Sequence, residues 1–283
     1  MKNRKLLIFL VILLSVVCAA LIAVMVLAIN NKLSPVIFNV SPHVSFEEID
    51  TLVWDETYSG DFTDISAKTD YGNINIRHAD DENIRVVIYG DADKTTVTAE
   101  KNHLRITANH KTRVEFFGAI TREAKTEIYV PESYAGRITL INDAGEITAD
   151  SYPAASIEIE QDAGNTTLQT AQTATVTVHA GNVKIGTVAD AAVTCDLGNI
   201  NIDTVTDVMH LHNDCGNIDV KNANIKKDSV VSNNLGNIDI GKTGRVFIDA
   251  HTSLGNTNIR SNDRKSDITL TLTNDCGNIT VKN

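Results

Sequence analysis

The stretch Leu197-Gly198-Asn199-Ile200-Asn201-Ile202 contains the phrase that decides the fold, a Gly-Asn pair followed by alternating apolar residues. Related phrases begin at eight glycines of the C-terminal half: Gly145, Gly164, Gly181, Gly198, Gly216, Gly236, Gly255 and Gly277. Seven steps cover the interval from position 145 to position 277, so the mean period is about 19 residues. A fixed period of this size predicts stacked repeats, each too small to bury a core by itself. A ninth copy begins at Gly72.

Apolar residues alternate with polar ones on both sides of each glycine. In one repeat Val176 and Val178 precede Gly181, and Val183 and Ile185 follow it. A period of two is typical of a β-strand with one buried face, and the change of parity indicates that the chain turns at the glycine. Glycine tolerates the positive φ values of such a corner, so all nine glycines are predicted to be structural corner residues.

Two folds fit a strand, corner, strand repeat: an antiparallel sandwich or barrel of hairpins, and a β-solenoid whose coils stack in register. Columns of equivalent residues favour the solenoid. The residue before each glycine is small or apolar, and the residue three before it is mostly an amide that can bond to its equivalent one coil away. Both columns are therefore predicted to face inward. The four prolines all precede the last 130 residues, as a parallel ladder requires: Pro35, Pro42, Pro131 and Pro153.

Three cysteines lie in these two columns. Cys195 is three before a glycine, and Cys215 and Cys276 directly precede one. Three coils at ~4.8 Å separate Cys215 from Cys276 by about 14 Å, too far for a disulfide. All three are predicted to be buried, reduced core residues.

The phrase Gly-Asn-Ile-x-Ile at this period, preceded by Glu127-Ile128-Tyr129-Val130-Pro131, resembles the bacterial adhesin-like family of membrane-anchored β-strand-repeat proteins. The resemblance covers roughly residues 50–283. It implies a bacterial surface module associated with the cell envelope and its stress responses, and it implies no reaction.

The N-terminus carries a membrane signal. Residues 1–5 hold three positive charges, and residues 6–29 are 24 uncharged residues that reach ~36 Å as a helix. A cleaved signal peptide is the alternative, but its apolar core is shorter, and no clean cleavage site follows this run. We predict a cytoplasmic tail (1–5), a single transmembrane anchor (6–29), a linker (30–50) and an extracytoplasmic repeat domain (51–283).

The first part of the repeat domain is less regular. Gly72 and Gly145 are 73 residues apart, close to four periods, so coils with looser corners are expected between them. Residues 110–123, with Phe116 and Phe117, are the expected insertion and either cover one end of the stack or form a contact patch.

Charge limits the partners. The chain carries a formal charge of −11, and its first 32 residues contribute four positive charges and no acids, which leaves about −15 on the rest. This balance argues against nucleic acid and against anionic lipid surfaces. The expected partners are the membrane, crossed once, and a protein or cell-wall component.

Two side-chain sets have the composition of metal sites. A column of acids stands two before the glycines, with the spacing for shared calcium: Asp70, Asp143, Asp162, Asp196, Asp214 and Asp275. Bonds from each carboxylate to its own turn explain that column equally simply, and we favour them. His210, His212 and Asp214 share one strand face but lack a fourth ligand. The prediction is therefore no metal and no cofactor.

No motif of nucleophilic or phosphate chemistry is present in the sequence, and the outward positions contain no dominant acid cluster. We predict a non-enzymatic binding or scaffold module at the cell membrane; the alternative is a carbohydrate-active β-helix enzyme of the cell wall. The chain stops directly after a strand, so residues 268–283 are expected to present an unpaired C-terminal edge for self-association.

Overall fold

The computed structural model describes residues 46–48, 51–90, 92–109 and 121–282. Within these ranges the chain is all-β, as predicted, with 21 strands and a single 3₁₀ turn at Ala92–Lys94. The same residues contain no helix that is long and apolar enough to span a bilayer. The predicted cytoplasmic tail and anchor lie outside the described residues, as does the Phe116-Phe117 pair.

The first nine strands are β1 (Phe46–Glu48), β2 (Leu52–Tyr58), β3 (Asp64–Thr69), β4 (Asn73–His78), β5 (Ile84–Tyr89), β6 (Thr95–Glu100), β7 (His103–Ala108), β8 (Thr121–Glu123) and β9 (Lys125–Val130). The repeats follow as β10 (Arg137–Ala144), β11 (Ile147–Ala163), β12 (Thr166–Ala180), β13 (Val183–Leu197), β14 (Ile200–Cys215), β15 (Ile218–Ala223), β16 (Ser229–Leu235), β17 (Ile238–Thr243), β18 (Phe247–Leu254), β19 (Thr257–Ile259), β20 (Thr269–Cys276) and β21 (Ile279–Val281).

Consecutive repeats pair in parallel and in register. Ile138 pairs with Ile157, Ile157 with Ala174, Ala174 with Ala191, and Ala191 with Met209. We call one repeat, with its strand before the glycine and its strand after it, a rung. The parallel ladder excludes the alternative of consecutive hairpins for these repeats, because a hairpin pairs its strands antiparallel.

The core lies between the two strands of each rung. Side chains that alternate inward are almost completely buried, among them Ile157, Ile159, Ile200 and Ile202. Each such side chain contributes roughly 1.5–3 kcal/mol when it leaves water. Because a rung touches only its neighbours, this stabilisation depends on stacking.

The buried amides are paired differently from the prediction. They face inward, but they do not bond to one another. Instead the Asn213 Nδ2 donates to the Gly198 carbonyl at 2.9 Å, and the Asn233 Nδ2 donates to the Gly216 carbonyl at the same distance. Asn142, Gln161 and Asn274 bond in the same way to the glycine of the neighbouring rung. The corner turns this carbonyl toward the interior, so the nearest acceptor is the glycine.

The C-terminal segment does not form an edge, and that part of the prediction is wrong. β20 pairs with both β16 and β18, and β21 pairs with both β17 and β19. The last rung of the stack is therefore β18 with β19. Its inward residues include Ala250 and Thr252, whereas the C-terminal rung buries Leu270 and Leu272. The more apolar rung occupies the interior position, where burial stabilises it most.

The expected series of coils between Gly72 and Gly145 is also absent. The rung of Gly72 pairs directly with the rung of Gly145, through β3 with β10 and β4 with β11. β7 and β9 add parallel partners on the other side of this rung. β2 and β9 both pair antiparallel with β5, and β6 pairs antiparallel with β7, so the ladder at this end is mixed.

Candidate binding surface

The nine glycines form the corners of the rungs. Their φ angles lie between +115° and +158°, a region that other residues rarely adopt. The chain turns over four residues at each corner, from the residue two positions before the glycine to the residue directly after it. Inside the corner the buried residue three before the glycine fills the available space; in one rung the Thr166 hydroxyl also bonds to Gln161 across it.

Because this space is occupied, the residues directly before the glycines do not point inward as predicted. This column faces outward, not inward: Leu197, Leu235 and Leu254 are 58%, 53% and 70% exposed, and Cys215 and Cys276 are exposed as well. The prediction that these two thiols are buried is wrong, because the inward amide leaves no room for a second side chain. Cys195 is buried, as predicted.

The exposed residues of this column follow one another on five consecutive rungs. Leu197 pairs with Cys215, Cys215 with Leu235, Leu235 with Cys276, and Cys276 with Leu254. We call these five residues the Leu/Cys stripe. At ~4.8 Å per rung the stripe is about 19 Å long. Three of the five large apolar side chains that are exposed in the described part of the chain belong to it.

An asparagine ladder runs along one side of the stripe. The residue after the glycine accepts a backbone N–H from the next rung through its Oδ1: Asn199 from Asn217 at 2.9 Å, Asn217 from Asn237 at 2.9 Å, and Asn237 from Asn278 at 2.9 Å. The side-chain amides also bond along the stack. The ladder comprises Asn165, Asn182, Asn199, Asn217, Asn237, Asn278 and Asn256.

An acid column runs along the other side, two residues before each glycine. His179 stands within it, with its Nδ1 2.7 Å from Asp196 and its Nε2 4.0 Å from Asp162. The hydrogen bond to Asp196, followed by the charge of that carboxylate, raises the pKa of His179. Alongside the stripe the column consists of Asp196, Asp214, Asn234, Asp275 and Ser253.

The His210-x-His212-x-Asp214 set does not converge. The His212 ring lies between two neighbours, with Nδ1 2.8 Å from the Ser232 hydroxyl and Nε2 3.1 Å from Asp214. Asp214 also accepts from Asn234 at 2.7 Å. Across the described ranges, no group of three or more His, Cys, Asp or Glu side chains is arranged to hold a metal ion.

Two carboxyl groups, those of Asp190 and Asp207, lie side by side, and Lys227 contacts the second of them. Partial burial, and then the hydrogen bond with Asp207, raise the pKa of Asp190, whereas the Lys227 ammonium lowers the pKa of Asp207. The Asp207 carbonyl accepts the backbone N–H of Lys226 at 2.7 Å. These contacts attach the turn after β15 to the body of the stack, which is a structural use of the pair.

Sequence reasoning identified the columns but not the side of the strand on which one of them lies. Size gave no signal, because the buried column of Ile157, Ala174, Ala191 and Met209 varies between alanine and large apolar residues just as the column before the glycine does.

The register defines a class of protein: an all-β chain of parallel repeats with glycine corners. Residues 62–282 match the model of the Toastrack DUF4097 family, and the chain belongs to that family. A search of the curated proteins finds no match.

A search of the solved structures finds similar chains at low sequence identity. One is a candidate cell adhesion protein from Clostridium sporogenes, with 13% identity, a TM-score of 0.30, and coverage of 81% of this chain and 98% of that one. A candidate adhesin from Bacteroides fragilis has 16% identity, a TM-score of 0.37 and coverage of 83% and 99%. A candidate lipid-binding protein from Parabacteroides distasonis has 12% identity, a TM-score of 0.39 and coverage of 83% and 99%.

Proposed function

We propose that this protein is a membrane-anchored, non-enzymatic binding and scaffold module of the bacterial cell envelope, with an adhesin-like β-solenoid as its extracytoplasmic domain. The parallel register of the rungs supports the solenoid. The apolar run at residues 6–29, with positive charges before it, supports the anchor and its orientation.

The observation that carries the binding role is the Leu/Cys stripe. A soluble surface normally scatters its exposed apolar residues singly, whereas these five stand in one line on adjacent rungs. The backbone ladder fixes the spacing of the five side chains, so the surface is preformed. Little conformational entropy is then lost in ordering it when a partner binds. The expected ligand is a protein with a narrow apolar strip, because aromatic residues that stack on sugars are scarce in this chain.

A substitution inside the stripe tests this role. Leu235→Asp adds a charge at the centre of the stripe, at a position that is already half exposed, so the fold should tolerate it. Leu52→Asp, at 51% exposure outside the stripe, is the matched control. Full-length protein is used to capture partners from solubilised envelopes. A protein retained by the wild type and by the Leu52 variant but lost with Leu235→Asp supports the role. Equal capture by all three contradicts it.

The proposed location has its own test. A membrane-impermeant maleimide added to intact cells should modify Cys215 and Cys276, which are exposed. Modification in permeabilised cells, where the protein keeps its density in the membrane, but not in intact cells would place the repeat domain inside the membrane barrier and would refute the proposed orientation.

A further inference from the structure

The two columns that flank the Leu/Cys stripe differ in charge, an asymmetry that a general docking surface does not need. Across the corner, the order is acid column, stripe, glycine and asparagine ladder. The acid side carries Asp196, Asp214 and Asp275, whereas the ladder side carries neutral amides. In a chain of net charge −11, this asymmetry restricts how two copies can approach each other.

We propose that the occupant of the Leu/Cys stripe is a second copy of this chain, related by a two-fold axis parallel to the stack of rungs. This inference rests on the binding role proposed above and names its partner. In such an arrangement each rung meets its own copy, so the interface is isologous. Leu235 meets Leu235 of the second copy, and each exposed cysteine meets its own counterpart.

Electrostatics select this axis. A parallel two-fold places the acid column of each copy over the asparagine ladder of the other, with Asp214 opposite Asn217 and Asp275 opposite Asn278. An amide donates to a carboxylate without adding like charge. A two-fold axis perpendicular to the stack, through Leu235, would instead place Asp214 opposite Asp275 of the second copy, and like charges at an interface are strongly unfavourable.

The shape of the stripe agrees with a second copy. It is a ridge one side chain wide and about 19 Å long, with straight flanks imposed by the ladder. A second ridge of the same spacing can lie along it rung by rung, because leucine then meets leucine on three rungs and cysteine meets cysteine on the two rungs between them. The area is small compared with the ~1,000 Å² of a stable interface, so the association is weak and depends on concentration. Anchoring both copies in one membrane surface would raise that concentration.

Disulfide cross-linking through Cys215 and Cys276 distinguishes the parallel from the perpendicular two-fold axis. Full-length protein in mild detergent is treated with oxidised glutathione; each intermolecular disulfide consumes one glutathione disulfide and releases two molecules of glutathione. With the parallel axis, wild type forms the bonds Cys215–Cys215 and Cys276–Cys276. With Cys18→Ser present throughout, so that the thiol of the apolar run cannot react, Cys276→Ser and Cys215→Ser therefore each still form a covalent dimer through the remaining exposed thiol, and the variant that lacks both exposed thiols forms none.

The perpendicular axis predicts a different result. It pairs Cys215 with Cys276, so wild type is cross-linked and neither single variant is. That outcome, or cross-linking that is unchanged by Leu235→Asp, overturns the proposal. Sedimentation without oxidant should show a monomer–dimer equilibrium whose dissociation constant rises at least about tenfold in Leu235→Asp and is unchanged in Leu52→Asp.

The failure of this inference can be separated from the failure of the binding role. The wild type could stay monomeric at every concentration and still capture a protein partner that Leu235→Asp fails to capture. That result excludes the second copy and supports the binding role of the stripe. If Leu235→Asp changes neither capture nor association, both are overturned.

Discussion

A Cβ atom placed on Gly216 would lie 2.6 Å from the carbonyl carbon of Gly198, one rung away, and closer still to the carbonyl oxygen. The glycine corners thus stack backbone against backbone, and Gly216 has a φ of +143°. Space and dihedral angle both require glycine at this position. The repeated phrase is therefore an architectural device, and the binding chemistry lies beside it.

Replacing Gly216 by alanine should destabilise the protein strongly. Unfavourable φ alone costs roughly 1–3 kcal/mol, and the steric overlap adds to it. Gly244→Ala is the control, because its added Cβ meets nothing within 4 Å and its φ lies outside the region that favours glycine. Urea unfolding of both variants measures the difference. Equal midpoints would contradict the stacked-corner account.

Asn233 should be replaceable by threonine at lower cost than by alanine. Its Nδ2 donates to the Gly216 carbonyl, and Thr252 makes the equivalent bond to Gly277 at 3.0 Å. Alanine leaves the buried carbonyl without a donor, at a cost of about 1–3 kcal/mol. Threonine should recover part of that loss in chemical unfolding. If both variants lose the same free energy of unfolding, the hydrogen bond to the glycine carbonyl is not the source of the stability that Asn233 provides.

The sequence was sufficient to predict much of the fold. The period, the alternation of Val176 and Val178, and the amides at Asn213 and Asn233 correctly indicated parallel strands and an inward column. These properties are local, because each follows from how a single rung exposes one face. The order of the rungs was not predictable in this way. It depends on the relative burial of Leu270 and Ala250, which lie in different rungs.

The candidate site was only half predictable. Alternation of side chains assigns Cys215 to the interior, since Asn213 is inward two residues earlier. The corner interrupts that rule, because positive φ at Gly216 turns the chain before the next inward position. A rule that holds along a strand fails at its end, and the stripe lies where the rule fails.

His179 should titrate above its usual range. Its hydrogen bond with Asp196 and the charge of that carboxylate favour the imidazolium. In an NMR titration, Asp196→Asn should lower the pKa of His179 more than Asp162→Asn does, because the Asp162 oxygen is 4.0 Å away and the Asp196 oxygen 2.7 Å. Similar decreases in both variants would show that the field of the whole column matters, not this bond.

The same pair gives a stability change of defined sign. A histidine whose folded pKa is raised contributes stability that is complete below its unfolded pKa, near 6.5, and is lost as pH rises through the folded pKa. Asp196→Asn should therefore lower the melting midpoint more at pH 5.5 than at pH 9. A larger decrease at pH 9 would contradict the assignment.

The Leu/Cys stripe is proposed to be an exposed surface that a second copy of this chain covers, and thiol labelling of the full-length protein tests this most directly. Cys195 is buried, and its burial raises its pKa to about 11. At low protein concentration a maleimide should modify Cys215 and Cys276 promptly and Cys195 only after denaturation. As the concentration rises, labelling of Cys215 and Cys276 should slow together. Slow labelling of both at the lowest concentration, or rates that do not change with concentration, would contradict the account.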